Sequence, residues 1–498
     1  MSFRPSFRFN LFSSWLDHAL STVGAVVVMP FVLHTIGDRL YGIWLFIGSI
    51  AGYSGLLRLG FGTTISRYVA YHYAREEWDR LNHVFNVVLA VYCCMGLVTL
   101  FIAAIIAWVA PYLHDWTAVP LAEVRLVILI MGLNVAVGII GGAFGGVVIG
   151  VQRFDIELGI SIISTVLRLG FTFGFLEANG ALLTLSLILL ATTIVENLIY
   201  VVYSFAKVKT LSLGLHYLNR ATLRECFSFS SYAFIQNVAN ELINTTDTVI
   251  IGIVLGAEAI VPYYVALRLC QFIKKPIQHI GVVSLPRAGE LHANAETSKV
   301  HGLVVKTLSL SVALTVGVFI GGTFFGQTLI ETWLGPGYEE SYFLLLVLLG
   351  SQIVAVPVGV LRSILFGMGL VKKPALMYLV EAIANLALTL IFIHPLGLMG
   401  VALGTAIPVV VIEVGMLLPY ALKQIQFDTT QLIQKVLSPL VVPLTALWVY
   451  SFIVARSYPP SVGWIEIIGV SIGGAAVLLI VWYITSRSRI WRDSSQST

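Results

Sequence analysis

The side chains best placed for chemistry in this sequence crowd into one apolar stretch. In "YYVALRLCQFIKKPIQHIGVV" (263–283), Arg268, Gln271, Lys275 and Gln278 recur at three- and four-residue spacing, with Lys274 beside them. That spacing puts them on one face of a helix, and Pro276 marks a kink. Guanidinium and ammonium groups so arranged match the oxygens of a diphosphate, more strongly in a low-dielectric site. Three cations in one span exceed what its neighbours neutralise; the alternative is a re-entrant or headgroup-level segment at 268–280. A lone cation, Arg58, lies in "SGLLRLGFGTTISRY" (54–68), a window without an acidic residue. It stands nine residues before Arg67, about 13 Å along a helix, which is too deep to snorkel. Gly48, Ala51, Gly55 and Gly62 share its face. A small-residue face packs on a helix or lines a cavity; it does not face lipid. Arg58 therefore points inward, either into a cavity or onto Asp17 of the first helix.

A second helix supplies amides. "YAFIQNVANELINTTDTVIIGIVLG" (232–256) carries Asn237, Asn240, Glu241, Asn244 and Thr248 as a stripe, with Asp247 at its edge. Amides donate and accept together, which suits sugar hydroxyls. Glu241 and Asp247 either carry a proton or sodium ion or balance the cations of the next helix, balance being preferred. On the first helix Ser14, Asp17, His18 and Ser21 form a shorter stripe. Arg168 with Glu196, and Arg362 with Glu381, are expected as structural pairs, and Glu413 is left without an assigned mate. The four cysteines suggest no disulfide framework, no Cys/His spacing suggests zinc, and no phosphate-binding loop appears. No cofactor is expected beyond a coupling proton or sodium ion.

These groups must be positioned by membrane helices. The 498 residues are 58% hydrophobic and 11% charged, against about a quarter charged in soluble domains. Continuous apolar runs recur from end to end, so the chain is an all-α integral membrane protein of about fourteen transmembrane helices. Lysines and arginines test that count. Arg4, Arg75, Arg80, Lys207, Lys209, Lys372, Lys373 and Arg487 fall on one side, whereas Arg39, Arg125 and Arg456 fall on the other. Both termini are therefore cytoplasmic. The net charge of +4 follows topology, and no nucleic-acid partner is expected. The basic stretch 206–228 is expected on the inner membrane surface, and 70–82 is a smaller interfacial candidate. It divides a six-helix lobe at 1–205 from a second at 229–422, followed by two extra helices (436–484) and a cytoplasmic tail (485–498).

The two lobes carry a faint repeat: "LHTIGDRLYGIW" (33–44) and "GIVLGAEAIVPYYV" (252–265) each place charges after a glycine turn and open the next helix with an aromatic residue. An even number of helices per repeat makes the lobes parallel and pseudo-symmetric, with a cavity between them. The block 29–70 resembles the polysaccharide-transport, or oligosaccharide flippase, family of the multidrug/oligosaccharidyl-lipid/polysaccharide exporter superfamily. Pro30, the glycine ahead of "YGIW", and "LLRLGFG" carry the resemblance.

That resemblance implies a V-shaped pair of lobes with alternating access in the bacterial cytoplasmic (inner) membrane. The implied cargo is a polyprenyl-diphosphate-linked oligosaccharide, such as an O-antigen, capsule or exopolysaccharide unit. Membrane lipids, a polysaccharide polymerase and chain-length proteins are the implied partners. The diphosphate would engage Arg58, Arg268, Lys274 and Lys275, and the glycan Asn237, Asn240, Asn244 and Gln271. Asp17, Glu241 and Asp247 would couple or balance charge. A transporter, not an enzyme, is expected. The rivals are a cation-coupled multidrug antiporter of the same superfamily and a membrane-embedded polymerase or glycosyltransferase. The basic helix argues against the first, and the short external segments against the second.

Overall fold

The computed structural model describes the backbone of residues 7–495 other than 114, 115, 117, 118, 178 and 458–462, and side chains within 22–485 other than 63, 113, 228–233, 236 and those backbone gaps. Helices account for nearly all of it. In order they are α1 (Phe7–Tyr53), α2 (Phe61–Ala74), α3 (Trp78–Leu113), α4 (Leu121–Gly150), α5 (Phe154–Phe175), α6 (Ala181–Lys207) and α7 (Arg220–Val254). There follow α8 (Ile260–Ala293), α9 (Thr297–Leu334), α10 (Glu339–Gly367) and α11 (Lys372–Ile412). The last are α12 (Leu418–Ile425), α13 (Thr429–Leu432), α14 (Ser438–Ser457) and α15 (Trp464–Ser495).

Among the described residues, ten helices are long and apolar enough to cross a membrane. Two of them are double. Gly37 (φ 76, ψ 166) breaks α1, and Gly397 (φ 56, ψ −136) breaks α11 into two arms. Both sit in conformations that side chains with a Cβ rarely adopt. Helices α7 and α8 fall outside the ten, because amides and acids lower the hydropathy of one and cations charge the other. Counted with the two doubled helices, they give as many helices as the about fourteen expected from sequence.

One expected span is broken. The helix anticipated at 41–66 stops at Tyr53, passes through a 3-10 turn at Ser54–Arg58, and resumes as α2 at Phe61. Leu59 (φ 50) and Gly60 (φ 75) between them are left-handed. Glycines 52, 55 and 60 lower helix propensity here, and Gly60 accepts the turn without a Cβ penalty.

The chain divides into two compact units, residues 1–261 and 262–498. In the first, α2, α3, α4 and α6 enclose a core of Phe61, Ile65, Phe85, Tyr92, Ile139 and Val147. The "GGAFGG" run of α4 lets α2 approach closely: a Cβ on Gly146 would stand 2.2 Å from Ile65 Cγ2. The basic connection after α6 is tied down by two asparagines of α3. Asn82 donates to Thr210 O (2.9 Å) and accepts from Ser212 N, and Asn86 repeats the pattern with Ser212 O and Gly214 N. Residues 220–228 of that stretch already belong to α7, whose first turn is capped by the Asn219 side chain.

In the second unit, α8, α9, α10 and α12 surround Leu291, Val304, Leu361, Ile364, Leu422 and Val436. Helices α14 and α15 dock on α9 through Leu447, Leu478 and Ile320.

Candidate substrate-binding site

The first unit contains a cavity of about 970 Å³. Its wall is glycine-rich, with Gly48, Gly52, Gly55 and Gly62 on one side and Gly138, Gly142 and Gly145 of α4 on another. Residues without side chains leave the space, and their exposed backbone lets a ligand approach closely. Polar groups converge on it from five elements. Arg58 comes from the 3-10 turn, Asn134 from α4, Glu196 and Asn197 from α6, and Asn237 from α7, with the phenols of Tyr92 and Tyr200 completing the ring. The size lies near the upper end of small-molecule sites, and a few placed polar groups in an apolar frame are the usual make-up of such a site.

Arg58 is exposed to this space. Its Nη2 donates one long hydrogen bond, 3.5 Å, to the carbonyl of Gly138. Among the described residues no carboxylate lies within 4 Å of it. The side chain of Asp17, its sequence-proposed mate, lies outside the described residues, as do those of Ser14, His18 and Ser21. The break in the helix matters here. It releases Arg58 from a continuous α-helical face and presents it on a turn, while Gly48, Ala51, Gly55 and Gly62 still line the same space.

Glu196 was expected to pair with Arg168. Instead it accepts a hydrogen bond from Ser164 Oγ (3.2 Å), faces the cavity, and acts on Arg168 only from beyond ion-pair distance. Helix α6 thus presents its carboxylate to the cavity and leaves Arg168 on α5 at longer range.

The amide stripe of α7 splits. Asn237 lines the cavity. Asn240 and Asn244 bond to each other along the helix, Nδ2 to Oδ1 at 3.1 Å. Glu241 accepts from Thr245 Oγ1 (2.6 Å) and lies against Gly52, whose absent Cβ would be 3.1 Å away. The hydroxyls of Tyr53 and Thr246 are hydrogen-bonded, and Asp247 is buried. Helices α1 and α7 are therefore joined by polar contacts on the turn below the cavity wall.

Helix α8 belongs to the second unit. Arg268 Nη1 reaches Gln271 Oε1 at 3.5 Å, and its guanidinium lies 5.3 Å from the Tyr264 ring centre. Lys275 is exposed and feels the Arg268 charge, and Lys274 is half-buried. Arg362 does not pair with Glu381. Its ion-pair partner is Glu413, at 3.4 Å, because the second arm of α11 folds back and brings its end against α10.

Asn134, Asn197, Tyr92 and Tyr200 were not singled out by sequence. The signal was slight: single amides within "GLNVAVG" and "VENLIY".

Comparison with known proteins adds identity to this geometry. A model of the family described as "Polysaccharide biosynthesis protein" matches residues 10–292. A relative from Shigella flexneri, described as "Putative O-antigen transporter", is 21% identical over 418 residues, covering 82% of this chain and 96% of its own. The solved structure "Lipid II flippase MurJ, inward closed conformation" superposes with a TM-score of 0.72 at 13% identity, covering 97% of this chain and 99% of its own. An inward-facing multidrug resistance MATE family transporter of the MOP superfamily gives 0.65 at 15% identity, covering 81% and 98%. The fold is that of this transporter superfamily. The all-helical, multi-pass membrane protein described here belongs to the polysaccharide biosynthesis protein family.

Proposed function

We propose that the chain moves a polyprenyl-diphosphate-linked oligosaccharide across the bacterial cytoplasmic membrane by alternating access. The observation that carries this reading is the cavity around Arg58: a large polar, glycine-walled space opened by a helix break within an apolar span. Arg58 meets the diphosphate, and Asn134, Asn197 and Asn237 meet glycan hydroxyls. Within the second unit, the cations of α8 (Arg268, Lys274, Lys275) suit a diphosphate and Gln271 suits a glycan. The lobes 1–205 and 229–422 act as the moving bodies, with both termini in the cytoplasm. A polymerase and chain-length proteins receive the product. No covalent step is required; transport is a population shift between inward- and outward-open states. The relatives' descriptions as an O-antigen transporter and a lipid II flippase support the cargo class.

The test is reconstitution into liposomes carrying a fluorescent lipid-linked oligosaccharide. Wild-type protein makes the inner-leaflet pool accessible to a glycan-modifying enzyme outside, and Arg58→Ala does not. Equal rates in protein-free liposomes and proteoliposomes would refute the reading. A second reading, export of cationic drugs, draws on Glu196 and the phenols in the cavity. It requires a drug gradient to form in the same liposomes.

A further inference from the structure

The second unit holds a buried charged cluster that the cavity does not use. Glu381 stands on the first arm of α11, and Glu413 opens the π-helical turn that follows the second arm. They are 4% and 1% exposed, and the two carboxyl groups act electrostatically on each other and share Arg362. Arg362 of α10 sets Nη2 3.4 Å from Glu413 Oε1, with its guanidinium 4.3 Å from the Tyr378 ring centre. Glu413 Oε2 and Arg362 Nη1 are buried without a hydrogen-bond partner. The neighbouring Glu381 carboxyl can donate to Glu413 only when protonated.

The two arms cannot drift apart to relieve the pair. One turn along, Asn385 Nδ2 donates to Thr405 Oγ1 at 2.8 Å, and Gly404 lies so close to Thr389 that a Cβ would meet its Oγ1 at 2.6 Å. Two carboxylates held this way in a dry site repel strongly, and one guanidinium neutralises only one of them. The second needs a proton or another cation. The charged and titratable groups facing the pair are Arg362 from α10, Tyr378 from α11 and Lys274 from α8. Lys274 acts on both carboxyls from beyond ion-pair distance, and its helix packs nearby. Gln278, one turn further on, and Arg362 both flank Gly359.

We propose that Glu381 and Glu413 form a proton-binding site whose occupancy decides where the Lys274 ammonium is directed. With the proton present, Arg362 alone balances the pair, and Lys274 is available to an anion. When the O–H bond breaks and the proton leaves to water, the second carboxylate claims Lys274. Proton and anion therefore bind the second unit cooperatively, and the linkage is reciprocal. This rests on the proposed function only in taking the anion to be the cargo's diphosphate.

Two measurements on the full chain in nanodiscs test it. Infrared titration of wild-type protein should show a protonated carboxylic acid band that disappears as pH rises and is missing in Glu381→Gln and Glu413→Gln. Neither the titration nor its outcome depends on which cargo is carried. Binding of inorganic pyrophosphate should weaken by about tenfold across the same pH interval in wild type, beyond any change in Glu381→Gln. Pyrophosphate's own ionisation is common to both proteins and cancels. Lys274→Ala should abolish that excess while keeping the infrared band. Absence of the band in wild type at every pH would overturn the proton site. Identical pH dependence in wild type and Glu381→Gln would overturn its link to Lys274. Transport failing in liposomes with the infrared titration intact would refute the flippase reading and leave the proton site standing.

Discussion

Gly42→Ala should loosen the contact between the two repeat turns. Gly42 follows the Gly37 break in α1, and Ala257 lies in the turn between α7 and α8, so the two sequence motifs that first suggested a repeat meet face to face. An added Cβ would sit 1.9 Å from the Ala257 carbonyl oxygen and 2.6 Å from its carbon. The obstacle is backbone, so no rotamer change relieves it, and the turn must retreat by about 1.5 Å to reach ordinary contact. The next contact inward is also tight, with Gly252 over the Phe46 ring. Overpacking of this kind costs about 1–3 kcal/mol, and alanine's better helix propensity returns up to about 1 kcal/mol. The net is about 1–2 kcal/mol against the closed arrangement. The flanking Arg39–Glu258 ion pair, 3.7 Å and largely exposed, is too screened to compensate. The assay is labelling of Ala257→Cys in membranes, with thermal unfolding in detergent alongside. Gly42→Ala should raise the labelling rate and lower the unfolding temperature. Gly48→Ala, whose Cβ would meet nothing within 4 Å, should do neither. Unchanged labelling and stability in Gly42→Ala would refute the reasoning.

Other outcomes follow from the same geometry. Arg58→Ala should express and unfold like wild type but weaken diphosphate binding by about 1.5–3 kcal/mol, the range for a charge-assisted hydrogen bond, with Arg58→Lys recovering part. Equilibrium binding of a short-chain prenyl diphosphate checks this, and low expression of Arg58→Ala rescued by Asp17→Asn would point to a buried pair instead. Arg362→Met should strand the buried carboxyls and cost about 3–5 kcal/mol, read as a lowered unfolding temperature that Glu413→Gln partly restores. Reporters fused after Lys209 and Lys373 should read cytoplasmic, and one after Pro336 external; a cytoplasmic Pro336 would break the topology.

Much of the fold was legible because lipid imposes strict rules on sequence. Long apolar runs located the helices, including the arms that the structure joins through Gly37 and Gly397. The break at Ser54–Arg58 was harder to see. Hydropathy continues through it, and only the density of glycines and the lone arginine betray it. Charge pairing was read least well. Arg362 lies as near in sequence to Glu381 as a helical hairpin allows, but the partner chosen in space is Glu413, 51 positions away. Depth along a helix can be inferred from residue number; the azimuth of a helix against non-sequential neighbours cannot.

The misreading of the two acid–base pairs has one physical root. Each assignment assumed that a buried charge is neutralised by its nearest sequential helix. In the first unit this left Glu196 counted as structural, although Ser164 already satisfies part of it and the cavity takes the rest. In the second it left Glu413 unassigned, although the return of α11 on itself brings an acid from each arm to a single guanidinium. In the second unit acid is left over after local pairing; in the first, Glu196 balances Arg168 at longer range and also faces the cavity. A chain that needed only stability would be served as well by apolar residues of similar volume. A surplus carboxyl in the membrane is instead suited to a ligand that comes and goes: a hydroxyl or cationic group at Glu196, and a proton between Glu381 and Glu413.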